Sequence, residues 1–339
     1  MLAYRFGAGT LAELPSLCEE IGVARPLLVA TERGARSVGE LPVVGVFAGV
    51  RPHVPVETVH EAAGMVGELE VDGIVAVGGG STIDTAKAVV GELADAGVRP
   101  PRVIAVPTTY AGAEHTPFYG VLLAPGRKGG GSNDAARPVA AIYDPELTLG
   151  LSLPDTVGTS MNALAHCAEA YYHPKATRRA MRHADTGATA ISYALPLVVA
   201  SPTGLYGRSR LLEGAMRAAE ALGASGLCLA HAMAQAVGGR YGIPQGAANA
   251  VCLPGALRFN AEAVPEAIER FAAALGVEDA PARCAELAAL GGFERLRDLG
   301  VPESDLVGLA ESAAARAGTK ANPRAATAAE IAELFAAVW

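Results

Sequence analysis

Aromatic side chains are scarce in this chain of 339 residues, 5% with a single tryptophan, and charged residues reach only 18%. Basic residues are outnumbered by acidic ones, for a net charge of −8. A general nucleic-acid-binding surface needs clustered Lys and Arg, so that class is set aside. No apolar run is long enough to span a bilayer, and MLAYRFGAGTL lacks the basic start and long apolar core of a signal peptide. The five cysteines, Cys18, Cys167, Cys228, Cys252 and Cys284, are odd in number, scattered, and without CxxC spacing. A disulfide framework is therefore not expected, and reduced core thiols are. The expectation is a soluble cytoplasmic protein acting on a small molecule, with no nucleic-acid or membrane partner.

What is present is a change of pattern partway along the chain. Up to about residue 150, short apolar runs alternate with helical periodicity. PLLVA (26–30), GIVAVGGG (73–80) and VIAVPTT (103–109) read as buried strands, and ETVHEAAGMVGEL and STIDTAKAVVGELADAG as helices. This alternation predicts a mostly parallel sheet covered on both faces. GVLLAPGRKGGGSNDAARPVAAIYD reads as a hairpin around a glycine-rich turn. From Pro154 onward strand signals nearly vanish, and SMNALAHCAEAYY and SRLLEGAMRAAEALGASGLCLAHAMAQAVGG carry helical spacing. The fold class expected is an α/β nucleotide-binding-like domain at 1–152 followed by a helical domain at 153–339. Ligand clefts favour such domain junctions.

VAVGGGSTIDTAK (75–87) sets three glycines after a strand and a Ser-Thr pair at a helix start. Exposed backbone N–H groups and the positive helix end suit a pyrophosphate there. Gly79 and Gly80 allow close approach, and Ser81 either caps the helix or bonds a phosphate oxygen. Asp84 belongs to the same loop, or is an ordinary capping-box partner of Ser81. The stretch is neither GxGxxG nor a Walker loop, and a plain tight turn remains the alternative. Thr108 and Thr109 in PTTYAGAE (107–114) end a neighbouring strand, on the side of the sheet where nucleotides bind in open α/β folds.

GGGSTIDTAK together with PTTYAGAEHTP resembles the iron-containing alcohol dehydrogenase and dehydroquinate synthase-like superfamily. More narrowly, RFGAGTLAELP, VFAGVRPHVPVE, PTTYAGAEHTPFYG, GRKGGG, IYDPELTLGL, SMNALAHCAEAYY and ANPR resemble maleylacetate reductases. These stretches follow one another over almost the whole chain. The resemblance implies a Rossmann-like dinucleotide-binding domain, an all-α C-terminal domain and a cleft between them. It also implies hydride transfer from NAD(P)H, with Gly79, Gly80, Ser81, Thr108 and Thr109 at the cofactor phosphates. Glu32 matches the superfamily's acidic ribose ligand; a carboxylate there favours NADH over NADPH by repelling a 2′-phosphate. A solvated loop glutamate is the alternative. One departure is the short ERGARSVGELP segment, which leaves little room for the helix expected there. A homodimer is expected by analogy.

Metal-dependent members carry Asp, His, His and His where this chain reads Asn162, His166, His231 and Gln245. Asn162 and His166 stand at i and i+4, on one helix face. Zn and Fe are held by imidazole, thiolate and carboxylate, so two histidines and two amides form a poor set, and no catalytic metal is expected. Maleylacetate reductases share the Asn. The resemblance then makes His166 and His231 substrate-facing groups; satisfied interior histidines are the alternative. Gln235 stands where the family has a histidine near the nicotinamide, and a glutamine cannot relay a proton. His115 is a candidate replacement, or an exposed loop histidine. Tyr110 lines the nicotinamide end or packs beneath the loop. A dicarboxylate substrate needs cations; Arg127, Lys128, Arg240, Lys320 and Arg324 are candidates, with Lys128 and Arg324 preferred, and Gln245 a further substrate contact. Two functions stand: a metal-independent NAD(P)H reductase of an unsaturated or keto acid, or a diverged enzyme of non-redox chemistry such as cyclisation, dehydration or rearrangement. A fold retained without turnover is a third.

Overall fold

The apolar runs of the first 150 residues are too short and too continuous for amphipathic helices, and they pair as parallel strands buried on both faces. In the computed structural model, which describes residues 2–124 and 127–339, β1 (Ala3–Phe6), β2 (Pro26–Ala30), β3 (Gly45–Phe47), β4 (Gly73–Gly78) and β5 (Arg102–Pro107) precede a hairpin. The hairpin strands are β6 (Phe118–Ala124) and β7 (Arg127–Ser132), and β8 (Ala140–Tyr143) returns to the main sheet. That sheet has six strands in the order β1-β8-β5-β4-β2-β3, and its pairings are parallel. Every residue of β2 and β4 is buried. Leu14, Leu17, Leu28, Val75, Val77, Ile104, Val106 and Ile142 form one core cluster of this unit.

PLLVA is therefore preceded by a strand that the apolar runs do not mark. AYRF carries a half-exposed edge, with Tyr4 44% accessible, and its mixed polarity hides it from a reading based on apolar runs. The helices of this unit are α1 (Leu14–Glu20), α2 (Glu32–Ser37), α3 (Val56–Glu68) and α4 (Gly80–Asp95). The short segment after β2 does hold a helix. Six residues suffice because Thr31 Oγ1 caps it by accepting from Gly34 N at 3.0 Å.

A second unit, Leu151–Trp339, follows the first, Met1–Gly150. Its helices are α5 (Leu153–Tyr172), α6 (Arg178–Ala200), α7 (Leu205–Gly223), α8 (Leu229–Tyr241), α9 (Gln245–Asn260), α10 (Pro265–Leu275), α11 (Ala280–Ala289), α12 (Leu306–Ala314), α13 (Ala317–Ala321) and α14 (Ala328–Ala337). Ser152 starts α5 by accepting from Asp155 N at 3.1 Å. From Ser160 to Tyr172 every residue of α5 is buried, which marks it as the central helix of the unit. A Cβ on Gly246 would lie 2.4 Å from the carbonyl carbon of Gly158, so the absent side chain lets α9 lie directly on α5. Among the described residues no helix is long and apolar enough to cross a membrane.

Candidate functional site

In the α/β unit the loop after β4 and the loop after β5 are tied together by Thr108 N donating to Gly78 O at 3.0 Å. Helix α4 begins immediately at Gly80 with Gly79 as its N-cap, and the first N–H groups of any α-helix have no acceptor within it. A Cβ on Gly79 would come within 2.8 Å of Thr109 Cγ2, so the close approach of the two loops depends on glycine there. On one side of β4 the chain runs out through β2 to β3, and on the other through β5 to β8. The carboxyl ends of β2 and β4 thus flank the point where the connections diverge, where open α/β sheets bind nucleotides. Glu32, the first residue of α2, stands there, exposed and 3.5 Å from Arg36.

Two expectations for this loop need correction. Ser81 does not cap α4: it is the second helical residue, and its Oγ accepts from His53 N at 3.3 Å. Asp84 is not a capping-box partner and its carboxylate is turned to other work. It accepts from Gly120 N at 3.1 Å and pairs with buried Lys87 at 3.2 Å, fastening the hairpin to α4. Lys87 Nζ also reaches Phe118 O at 2.8 Å and Thr116 Oγ1 at 3.1 Å. Burial pulls its pKa down, and the Asp84 charge opposes that.

Tyr110 has no exposed surface, so it packs beneath the loop. His115 is not an exposed loop residue: it is half-buried, with Nε2 3.0 Å from Tyr143 Oη. Tyr143 Oη donates to Glu114 Oε1 at 3.0 Å, which assigns the proton on the His115 nitrogen as the one shared with the tyrosine. His115 therefore belongs to a buried network of the α/β unit.

In the helical unit α5, α8 and α9 bring Asn162, His166, His231 and Gln245 toward one another. The rings of His166 and His231 are stacked, 4.7 Å between centroids and 7° from parallel. Asn162 Nδ2 lies 3.4 Å from His166 Nε2, and its Oδ1 accepts from Asn249 Nδ2 at 2.7 Å. The residue that organises this cluster is Glu169, with no exposed surface. Its carboxylate accepts from Cys228 N at 2.7 Å and His231 N at 3.2 Å, at the positive start of α8. It also holds His231 Nδ1 at 2.7 Å. Glu169 escaped the sequence reading, although Asn162, His166 and Glu169 at i, i+4 and i+7 share a helix face.

The tautomers follow from these partners. Glu169 can only accept, so His231 Nδ1 carries the proton and Nε2 presents a lone pair. Asn162 Nδ2 can only donate to His166 Nε2, so the His166 proton sits on Nδ1. The other ring nitrogens, His166 Nδ1 and His231 Nε2, are buried without a hydrogen-bond partner among the described residues, as are Gln245 Nε2 and Asn249 Oδ1. Burial, and then the neighbouring His231, push the His166 pKa well below the ordinary 6.5, so this imidazole is neutral at physiological pH. Such orphaned groups cost about 1–3 kcal/mol each, which a polar ligand would relieve.

As a metal centre the set fits poorly. Its members are two imidazoles and two amides, Asn162 Oδ1 is already taken by Asn249, and the carboxylate of Glu169 stands behind His231. Among the described residues no group of three or more His, Cys, Asp or Glu is placed to hold a metal ion. Of the expected cations, Arg324 is committed to Glu330 and lies 3.8 Å over the Phe259 ring. That ion pair and the Thr327 hydrogen bonds draw the Glu330 pKa down to about 2. Arg240 pairs with Asp305 at 2.8 Å, and the side chains of Arg127 and Lys128 fall outside the described residues. Gln235, one turn beyond His231, is half-buried and receives Arg316 on both its side-chain and backbone oxygens. A surface hollow of about 430 Å³ beside Arg258, Glu269 and Asp279 contains none of these residues.

A parallel sheet with a glycine loop, joined in sequence to a helical unit with paired histidines, defines a class of oxidoreductase. Residues 3–145 match the iron-containing alcohol dehydrogenase family, and residues 156–339 match its C-terminal region. The chain belongs to this family and is an enzyme of it. Within it the chain resembles maleylacetate reductases: it is 37% identical to the maleylacetate reductase of Sphingobium indicum, covering 98% of this chain and 95% of that one. The crystal structure of maleylacetate reductase from Agrobacterium tumefaciens superposes with a TM-score of 0.90 at 32% identity, covering 100% of this chain and 96% of that one. An iron-containing alcohol dehydrogenase from Corynebacterium glutamicum gives 0.91 at 33% identity, covering 99% and 94%.

Proposed function

We propose that the protein is an NADH-dependent reductase of a short unsaturated or keto acid, similar to maleylacetate, working without a catalytic metal. The observation that supports it most is the stacked His166–His231 pair, fixed by Asn162 and Glu169, with a buried, orphaned nitrogen on each ring. When bound, the nicotinamide supplies a hydride to an electron-poor carbon; the charge that develops is that of an enolate or alkoxide oxygen. His166 Nδ1–H, already desolvated and pre-aligned, donates to that oxygen, and Gln245 Nε2 is a second donor of the same kind. The enolate or alkoxide must then gain a proton, which a solvent water supplies and recovers from bulk; His231, its Nδ1 held by Glu169, accepts from that water at Nε2 and orients it. Electrostatic and positional catalysis of this kind has no strict need of a metal.

For the cofactor, Gly79, Gly80, Ser81, Thr108 and Thr109 are the phosphate-side residues we propose, and Glu32 the ribose contact that disfavours NADPH. A homodimer is proposed by analogy, and sedimentation velocity reads it. The test is titration of the protein with NADH and NADPH by nicotinamide fluorescence, followed by absorbance at the nicotinamide band with maleylacetate. Tighter NADH binding and NADH consumption are expected; absence of binding by either cofactor would sink the proposal. One feature favours a second reading, non-redox chemistry in the same pocket: Gln235 has no titratable proton where the family has a histidine. Cofactor binding without turnover on a panel of enones and keto acids would be its signature.

A further inference from the structure

Arg316 was not among the cations the sequence singled out. It is the N-cap of α13, held on both sides by its own backbone, with N donating to Ala313 O at 3.1 Å and O accepting from Lys320 N at 3.3 Å. Helix α13 is pressed onto the start of α8, because a Cβ on Gly318 would stand 2.6 Å from Cys228 O. At the other end of this contact Arg316 Nη2 donates to Gln235 O at 3.2 Å, and Nη1 to Gln235 Oε1 at a long 3.4 Å. Cys228, His231 and Gln235 stand at i−3, i and i+4 on one face of α8, so His231 lies between the two points of contact.

The state of this guanidinium is unusual. It is half-buried, its Nε is buried with no hydrogen-bond partner, and no carboxylate lies within ion-pair distance among the described residues. Arg240 and Arg324, in the same unit, each have an acidic partner. Burial lowers the Arg316 pKa with no neighbouring charge to offset it. A fork of donors, partly desolvated and lacking an anion, matches the geometry of an incoming carboxylate.

Building on the reductase reading, we propose that Arg316 binds the carboxylate of the substrate and thereby sets the substrate class. Gln235 lies roughly 6 Å along α8 from His231, one turn of helix. An acid whose carboxylate is held by Arg316 and whose reacting oxygen meets the His166–His231 pair has only a few bonds between the two groups. That describes a short keto or enone acid, and excludes simple alcohols and aldehydes as good substrates. Gln235 orients the guanidinium through its two oxygens, which gives a non-titrating residue a purpose at this position.

The experiment compares wild type, R316Q and R316K, each checked for thermal unfolding, with maleylacetate and NADH. Loss of a charge-assisted contact predicts a rise in KM for maleylacetate of roughly 30-fold or more in R316Q. KM for NADH should stay within twofold, and R316K should recover part of the loss. A KM for maleylacetate within twofold of wild type in R316Q overturns the proposal while leaving the reductase reading intact. Should R316Q not fold, R316K alone decides, because an ammonium lacks the fork: a several-fold rise in KM supports the proposal and an unchanged KM overturns it. If wild type does not turn over maleylacetate, the reductase reading fails, and calorimetric titration with succinate decides the role of Arg316 separately. Saturable binding to wild type that R316Q or R316K loses or weakens supports it. Equal binding, or none to wild type, overturns it.

Discussion

At the end of β4 the atoms proposed to meet a ligand are backbone N–H groups, and a backbone bond from Thr108 to Gly78 draws the two loops together. In the helical unit the buried atoms without a partner among the described residues include side-chain atoms of His166, His231, Gln245 and Arg316. The first arrangement is made by the absence of side chains, as Gly79 against Thr109 shows. The second is made by side chains holding one another, with Glu169 and Asn162 behind the two imidazoles. A backbone site binds a constant group such as a pyrophosphate, and a side-chain site can be rewritten one residue at a time. Gln235 and Gln245, the positions proposed to depart from the superfamily, belong to the rewritable kind.

Substitutions separate the two regions by which constant they move. The largest effect is expected for His231→Ala, with kcat for maleylacetate lowered about 1,000-fold and NADH binding unchanged, by analogy with removal of an oxyanion or acid–base group. Glu169→Gln follows. It keeps the shape but can no longer accept from both backbone N–H groups and the imidazole, so kcat should fall roughly 10- to 100-fold and stability by about 1–3 kcal/mol. A shifted pH profile of kcat separates loss of positioning from loss of folding. On the other side, Gly79→Ala should raise KM for NADH about tenfold, equivalent to about 1.4 kcal/mol, with kcat little changed. A lowered kcat at unchanged KM would contradict a phosphate-side role.

The smallest effect concerns pH and the buried imidazole. His166 has its folded-state pKa depressed below the unfolded value near 6.5. The folded state thus binds fewer protons than the unfolded one as the pH drops. Its contribution is fully present above pH 6.5 and is lost as pH falls toward the folded-state value. The melting temperature of wild type should decline through that window, and His166→Gln should flatten the decline. An unchanged slope in the variant would remove His166 as its source.

Much of the fold was legible because it rests on periodicity. Buried strands such as PLLVA and GIVAVG are continuous apolar runs, and α5 announces itself by spacing and by its Ser152–Pro154 start. β1 was missed because an edge strand alternates weakly over four residues, and α2 because its cap, not its length, sustains it. In the site, Asn162 and His166 could be paired from sequence since i and i+4 meet on any helix. Stacking of His166 on His231 is a tertiary fact that no local spacing reveals. Asp84 looked like a capping residue because its spacing from Ser81 was right; a bond to Gly120, 36 positions away, decides its role instead. Arg316 and Arg324 look alike in sequence; among the described residues Glu330 pairs with Arg324, whereas no acid pairs with Arg316.

The central claim is that side chains alone, without a metal, sustain the proposed hydride transfer. The direct measurement is NADH-dependent reduction of maleylacetate by protein treated with a strong chelator, with metal content determined on the same sample. The account predicts an undiminished rate at metal far below one equivalent. A rate abolished by chelation and restored by added Fe or Zn would contradict it.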